Sequence, residues 1–110
     1  MKPEDFVVVL VTAAEAEEAA RIGRALVEER LAACANLIGP IRSVYRWGGA
    51  VEEAAEHLLL VKARAADVPA LDARVRALHA YQVPEVLALG VSAGSGTYLA
   101  WLAESTARDV

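Results

Sequence analysis

Residues 30–49 read RLAACANLIGPIRSVYRWGG, and this stretch decides the fold. From Cys34 to Trp47 its composition and alternation predict a strand. The pair Gly39-Pro40 interrupts that strand, and because proline offers no N–H to a ladder, the pair predicts a bend or bulge. Gly48-Gly49 is typical of a tight hairpin turn. The stretch therefore predicts the outgoing half of a β-hairpin.

The sequence on either side of this stretch predicts the other elements. Upstream, the β-branched run Phe6–Val11 predicts a strand that is apolar on both faces. A helix then runs to about Arg30, and the spacing of Thr12 and Glu15 fits a capping box at its start. Downstream we expect a returning strand, a second helix, a fourth strand and a terminal helix, over Val51–Ala63, Asp67–His79, Glu85–Val91 and Thr97–Thr106.

The order of these elements is βαββαβ followed by a helix. With right-handed crossovers this order gives an α+β, ferredoxin-like fold in which both longer helices lie on one face of a four-stranded sheet. We expect one domain spanning residues 1–110, with an extended hairpin between the second and third strands. Most of the strands are apolar on both faces, so the face without helices would expose a large apolar patch. Self-association through that face is the simplest way to cover it.

Composition excludes several classes of function. The chain has 110 residues, a net charge of −4 and 56% hydrophobic residues, enough for a core. A sequence pI of about 5.1 argues against nucleic acid or an anionic membrane as the main partner. The one cysteine rules out an internal disulfide. No apolar run reaches the ~18 residues of a membrane helix and no signal-peptide pattern is visible, so we expect a cytoplasmic location.

Four motifs point to a known family when they are taken together and in order. They are RLAACAN at 30–36, SVYRWGG at 43–49, LLVK at 59–62 and HAYQVPE at 79–85. With these motifs, nearly the whole chain resembles the CutA family of divalent-cation-tolerance proteins. Two positions depart from the family pattern: a proline or a small polar residue is common at the position of Ala80, and an acid is common at the position of Gln82. The resemblance implies a ferredoxin-like homotrimer, architectural similarity to the PII signalling proteins and a role in tolerance to copper and other divalent metals.

Three residues are candidates for binding such a metal. The Cys34 thiolate suits copper, the His79 imidazole suits copper and zinc, and the Glu85 carboxylate would complete the coordination or orient the histidine. Each also has a structural interpretation: a packed cysteine, a histidine at the C-terminus of a helix and an acid at a strand edge. The three are far apart in sequence, so their convergence depends on the fold or on a subunit boundary. No HExxH or CxxC motif indicates a closed zinc site.

We therefore expect a non-enzymatic, trimeric protein that binds copper or another divalent cation and contributes to metal tolerance. The alternative is a PII-like signalling protein that senses a small metabolite or nucleotide at clefts between subunits, and a scaffold without a ligand is a third interpretation. An enzyme has little support, because no nucleophile–base pair is visible. Residues 93–97 resemble an anion-binding loop but are better explained as a turn and a helix start. Lys62 is either an anion contact or a side chain that extends to solvent.

Overall fold

The strands and helices follow the predicted order. The computed structural model describes residues 1–108. Its helices are α1 (Ala16–Glu28), α2 (Val68–Leu78) and α3 (Gly96–Ser105), and its strands are β1 (Phe6–Ala13), β2 (Cys34–Trp47), β3 (Ala50–Arg64) and β4 (Leu87–Gly90). Short 3-10 turns at Pro3–Asp5 and Ala65–Asp67 precede β1 and α2. No helix in this part of the chain is long and apolar enough to cross a membrane.

The four strands form one sheet in the order β2-β3-β1-β4. Every neighbouring pair in it is antiparallel. β1 is central, so that Val9 faces Val61 of β3 on one side and Ala88 of β4 on the other. This is the split βαβ arrangement, and the predicted ferredoxin-like fold is therefore confirmed.

The core lies between one face of the sheet and the helices α1 and α2. Odd-numbered residues of β1 and β3 point to this face, because side chains alternate along a strand. They pack against helix residues spaced three and four apart, the spacing that predicts an amphipathic helix. The fully buried members include Val9, Val11, Leu59, Val61, Ile22, Leu26, Leu71 and Val75. Each such side chain contributes about 1.5–3 kcal/mol through its removal from water, so this layer is the main source of stability.

The start of α1 differs from the prediction. Thr12 belongs to β1, where it pairs with Leu58 of β3, and Glu15 stands at the N-cap position without a side-chain hydrogen bond to the helix. The predicted capping box of Thr12 and Glu15 is therefore wrong. Strand pairing holds the backbone extended as far as Ala13, and this pairing delays the helix to Ala16.

β2 and β3 form the predicted hairpin. The ladder shifts register between Ile38 and Ile41, across the cis Gly39-Pro40 bond, and this shift confirms the predicted bulge. Gly48 and Gly49 have φ angles of 58° and 82°, which glycine adopts at little cost and which suit a two-residue turn. β1 pairs with β3 only from His57 onward, so residues 41–56 form an arm that projects from the sheet.

The sheet face away from α1 and α2, here called the open face, is covered at one end. There α3 packs Leu99 and Leu102 over the fully buried Phe6. Over the rest of the open face, large apolar side chains of β2 and β4 remain in contact with solvent. They are Ile38, Leu87 and Leu89, which are 44%, 56% and 49% exposed. The apolar patch expected from the sequence is present in the single chain.

Candidate metal and ligand site

The open face carries polar groups towards both ends of β3. Glu56 and Lys62 point to the same side of this strand, because they are an even number of residues apart, and their separation is about 20 Å. Leu58 and Leu60 lie between them on the same side. We call the surroundings of Lys62 the thiol end (Cys34, Asn36 and Lys62), and the surroundings of Glu56 the carboxylate end (Glu56, Tyr81 and Glu85).

At the thiol end, Cys34 and Lys62 stand directly opposite each other across the β2–β3 ladder. The Lys62 ammonium donates a hydrogen bond to Asn36 Oδ1 and lies 4.0 Å from the Cys34 sulfur. The same sulfur is 3.6 Å from Asn36 Oδ1. Cys34 is a free cysteine of intermediate exposure, so it is neither fully packed nor fully open to solvent.

Helix α3 borders the thiol end with two aromatic rings. The ring centroids of Tyr98 and Trp101 are 5.5 Å apart, and each residue is 43% exposed. Partial burial, and secondly the charge of the nearby Cys34, raise the pKa of Tyr98. The thiol end therefore has an aromatic surface beside a cation, an amide and a thiol.

At the carboxylate end, the Tyr81 hydroxyl donates a hydrogen bond of 2.8 Å to Glu56 Oε2. Partial burial and this hydrogen bond raise the pKa of Tyr81 to about 12, so the phenol remains a donor at neutral pH. Partial burial, and secondly the charge of Glu56, raise the pKa of Glu85. Two carboxylates thus share this end and repel each other, and a proton or a cation between them would relieve the repulsion.

His79 lies behind the carboxylate end, and its side chain is fully buried. Its Nε2 donates to the Thr12 carbonyl at 2.6 Å, and its Nδ1 accepts from the Tyr81 backbone N–H at 3.0 Å. Glu18 completes the cluster, because its Oε2 accepts from the Ala80 backbone N–H at 2.7 Å and lies 3.7 Å from His79 Nδ1. Both ring nitrogens therefore have protein partners, and the ring ties the end of α2 to the end of β1.

The structure does not bring the three predicted metal ligands together within one chain. Cys34 belongs to the thiol end, Glu85 to the carboxylate end, and His79 is enclosed behind the latter. Within residues 1–108, no group of three or more His, Cys, Asp or Glu side chains is arranged to hold a metal ion. The donors of a single chain therefore do not fit a resident copper ion, although Cys34 and Glu85 both belong to the open face.

Sequence reasoning missed the parts played by Glu18 and Glu56. Glu56 alternates with Leu58 and Leu60, and this pattern was a usable signal that its side chain would be buried, as its 8% exposure shows. Glu18 gives no such signal, since its contact with Ala80 joins residues 62 positions apart.

Residues 7–105 match the sequence model of a family described as the CutA1 divalent ion tolerance protein. The chain belongs to the CutA1 family. Its sequence is 52% identical over 99 residues to the divalent-cation tolerance protein CutA of Thermus thermophilus, and the match covers 90% of this chain and 96% of that protein. A solved structure of the divalent cation tolerance protein from the same organism aligns with a TM-score of 0.90 and 50% identity, covering 93% of this chain and 99% of that one.

The CutA1 family also includes longer proteins. Human Protein CutA is 47% identical over 96 residues, which are 87% of this chain but 54% of the human protein. This chain therefore spans about half the length of that relative. The names of the family and of the Thermus relative connect the fold with divalent-cation tolerance, as the resemblance of the four motifs implied.

Proposed function

We propose that this CutA1 protein contributes to divalent-cation tolerance without catalysing a reaction, as a cytoplasmic homotrimer that binds copper or another divalent cation at its subunit boundaries. The family relationship supports the link to divalent cations. The open face supports self-association, because contiguous exposed apolar surface on a soluble domain marks an interaction site. A closed cyclic trimer would cover this face in every copy alike.

The placement of two donors on the open face carries the metal proposal. The Cys34 thiolate is a soft ligand suited to copper, and the Glu85 carboxylate is a hard oxygen ligand. Within residues 1–108 neither has enough donors around it for a site, so a neighbouring copy would supply the remainder. His79 would act through the connection that carries Tyr81 and Glu85, because its ring is already bonded at both nitrogens.

A calorimetric titration of metal ions into the purified protein tests this proposal. Copper and zinc are titrated into the wild type and into Cys34→Ser, His79→Ala and Glu85→Gln variants that keep the wild-type oligomeric state. Copper affinity should fall about tenfold or more in each, the scale expected when a ligand or its support is removed. Glu17→Gln is the matched control, since it removes an exposed carboxylate from α1 and should bind as the wild type does.

The outcome also separates the alternatives. Wild-type affinity in all three variants would place the site away from the proposed residues. If the wild type binds no metal, the metal proposal is wrong. Binding of a nucleotide that is titrated in parallel would then favour the PII-like sensor. If neither the metal ions nor the nucleotide binds, a scaffold is favoured.

A further inference from the structure

Lys62 is a half-buried cation on the open face, with Cys34 across one side of it and Val8 across the other. Its ammonium contacts are the Asn36 amide oxygen and the Cys34 sulfur, neither of them a carboxylate. No acid in residues 1–108 forms an ion pair with it. Several arginines of the same chain do have such a partner, namely Arg24, Arg42, Arg74, Arg76 and Arg108.

The ammonium of Lys62 retains the capacity to bind another acceptor. It has three N–H donors and two contacts, so one donor is available to a ligand. Arg64, two residues further along β3, is instead held against the protein, because Thr106 Oγ1 and the Ala103 carbonyl accept hydrogen bonds from its guanidinium at 2.8 and 2.6 Å. A charge on a partly desolvated apolar surface is unfavourable until a counter-charge reaches it. Lys62 therefore favours an anion at this position.

The surroundings of Lys62 indicate what else the anion should carry. On one side lie the rings of Tyr98 and Trp101, tilted by 37° to each other, and the charge of Cys34 is near enough to Tyr98 to contribute to raising its pKa. On the other side, Leu89 of β4 pairs with Val8 and is 49% exposed. Apolar and aromatic surface around a single charged group is the usual make-up of a site for a small organic ligand.

We propose that the thiol end binds a small organic anion, a carboxylate or phosphate monoester carried on a planar ring. Lys62 binds the anionic group, Asn36 positions the ammonium, and Tyr98 forms part of the wall beside the ring. This site shares the thiol end with Cys34, a proposed metal ligand, and would lie at a subunit boundary of the proposed trimer. It goes beyond the proposed function because it needs no metal and because Lys62 is not among the candidate metal ligands. Carboxylate and phosphate share the chemistry that Lys62 recognises, so the probes below distinguish them.

Calorimetry in a buffer that contains a metal chelator tests the site. The probes are benzoate and phenyl phosphate, with benzamide as the uncharged analogue. Lys62→Met removes the charge and keeps the aliphatic stem, while Arg46→Met makes the same change of charge on the exposed arm. At least one anionic probe should bind the wild type and Arg46→Met equally. It should bind Lys62→Met about tenfold to a hundredfold more weakly, the range of one hydrogen bond to a charged group.

The wild type alone provides a second measurement that does not depend on how the variants fold. There at least one anionic probe should bind and benzamide should not, since benzamide shares the ring and lacks the charge. Binding of benzamide as tight as that of the anionic probes, unchanged binding in Lys62→Met, or no binding of either anion would each overturn the proposal. If neither anion binds and Lys62→Met dissociates the oligomer, the counter-charge is a carboxylate of a neighbouring copy instead. The chelator keeps a failure here distinct from a failure of the metal titration.

Discussion

At the scale of the residue, the carboxyl of Glu85 opposes folding. Partial burial, and secondly the charge of Glu56, raise its pKa in the folded chain. A glutamate of raised pKa binds its proton more tightly in the folded chain than in the unfolded one. The Glu85 carboxyl therefore leaves the free energy of unfolding unchanged at pH values below the pKa that this carboxyl has in the unfolded chain. As the pH rises through the raised pKa of the folded chain, the carboxyl lowers the free energy of unfolding.

Glu85→Gln should raise the melting temperature at pH 8, because the variant has no carboxylate to desolvate or to repel Glu56. The gain should be small, since Glu85 is largely exposed and solvent screens its charge. It should shrink as the pH falls to about 4 and below, where the wild-type carboxyl becomes protonated in both states. Thermal unfolding followed by circular dichroism at several pH values measures it.

The control for this experiment is Glu17→Gln on α1, which removes an exposed carboxylate and should bring no gain at either pH. A gain for Glu85→Gln of equal size at pH 4 and pH 8 would show that charge is not its cause.

The contacts of single residues were predictable only where they are local. Sequence reasoning identified Cys34 and Lys62 as chemically interesting, but their approach depends on the register of β2 against β3. For His79 it left open a metal ligand or a place at a helix end. The bond from its ring to the Thr12 carbonyl joins residues 67 positions apart, which no local pattern encodes.

At the scale of the element, hydrophobic periodicity predicts which segments are helices and strands, and it is weakest at their ends. The stripe that includes Ile22 and Leu26 places α1 correctly, because burial of those side chains dominates its stability. The end of β1 depends instead on its ladder with β3, so Thr12 is a strand residue although its spacing to Glu15 fits a cap. β4 is likewise confined to the four residues that pair with β1.

The bulge in β2 contains a close approach that can be tested. A Cβ added to Gly39 would lie 2.2 Å from His57 Nδ1, well inside contact distance. Gly39→Ala should therefore force the ring of His57 or the strand to move and should cost about 1–3 kcal/mol, the usual range for overpacking. The midpoint of urea unfolding, with the slope checked for constancy, measures this loss of stability.

Gly90→Ala is the matched control for the bulge, since a Cβ at Gly90 would have no atom of the described residues within 4 Å. In a protein that already carries His57→Ala, the substitution Gly39→Ala should cost much less stability than in the wild type, because the ring that would clash is absent. Equal losses with and without the His57 ring would mean that the clash is not the cause.

At the scale of the whole molecule, the sequence predicts an uncovered face but not what covers it. Helices α1 and α2 have apolar surface for one side of the sheet, and α3 covers the other side only around Phe6. Apolar residues at Leu87 and Leu89 therefore remain exposed. A pattern of apolar positions gives no information on the shape of the complementary surface, so the trimer rests on the proposed function. The sequence likewise did not predict the thiol end or the carboxylate end, because the register of the sheet is what brings their residues together.

The hairpin arm makes the trimer testable by substitution. Tyr45 and Trp47 point to one side of the arm and are 40% and 57% exposed, while Val44 points to the other side and is 63% exposed. Beyond the sheet, and within residues 1–108, the two strands of the arm pair only with each other, so their outer edges are available to another copy. An arm that packs against a neighbour would bury large aromatic side chains, which contribute strongly to interfaces.

Light scattering coupled to size exclusion should therefore give about three times the 11.7 kDa chain mass for the wild type at micromolar concentration. Tyr45→Ala and Trp47→Ala should lower this mass on dilution and should lower the melting temperature at the same time, because subunit binding stabilises the folded chain. Val44→Ala, which truncates an exposed side chain on the opposite side of the arm, should change neither quantity. A wild type that elutes as a single monomer contradicts the trimer. If the trimer and its melting temperature are unchanged by both aromatic substitutions, the arm is not part of the interface. The subunits would then associate through the apolar residues around Leu87 and Leu89.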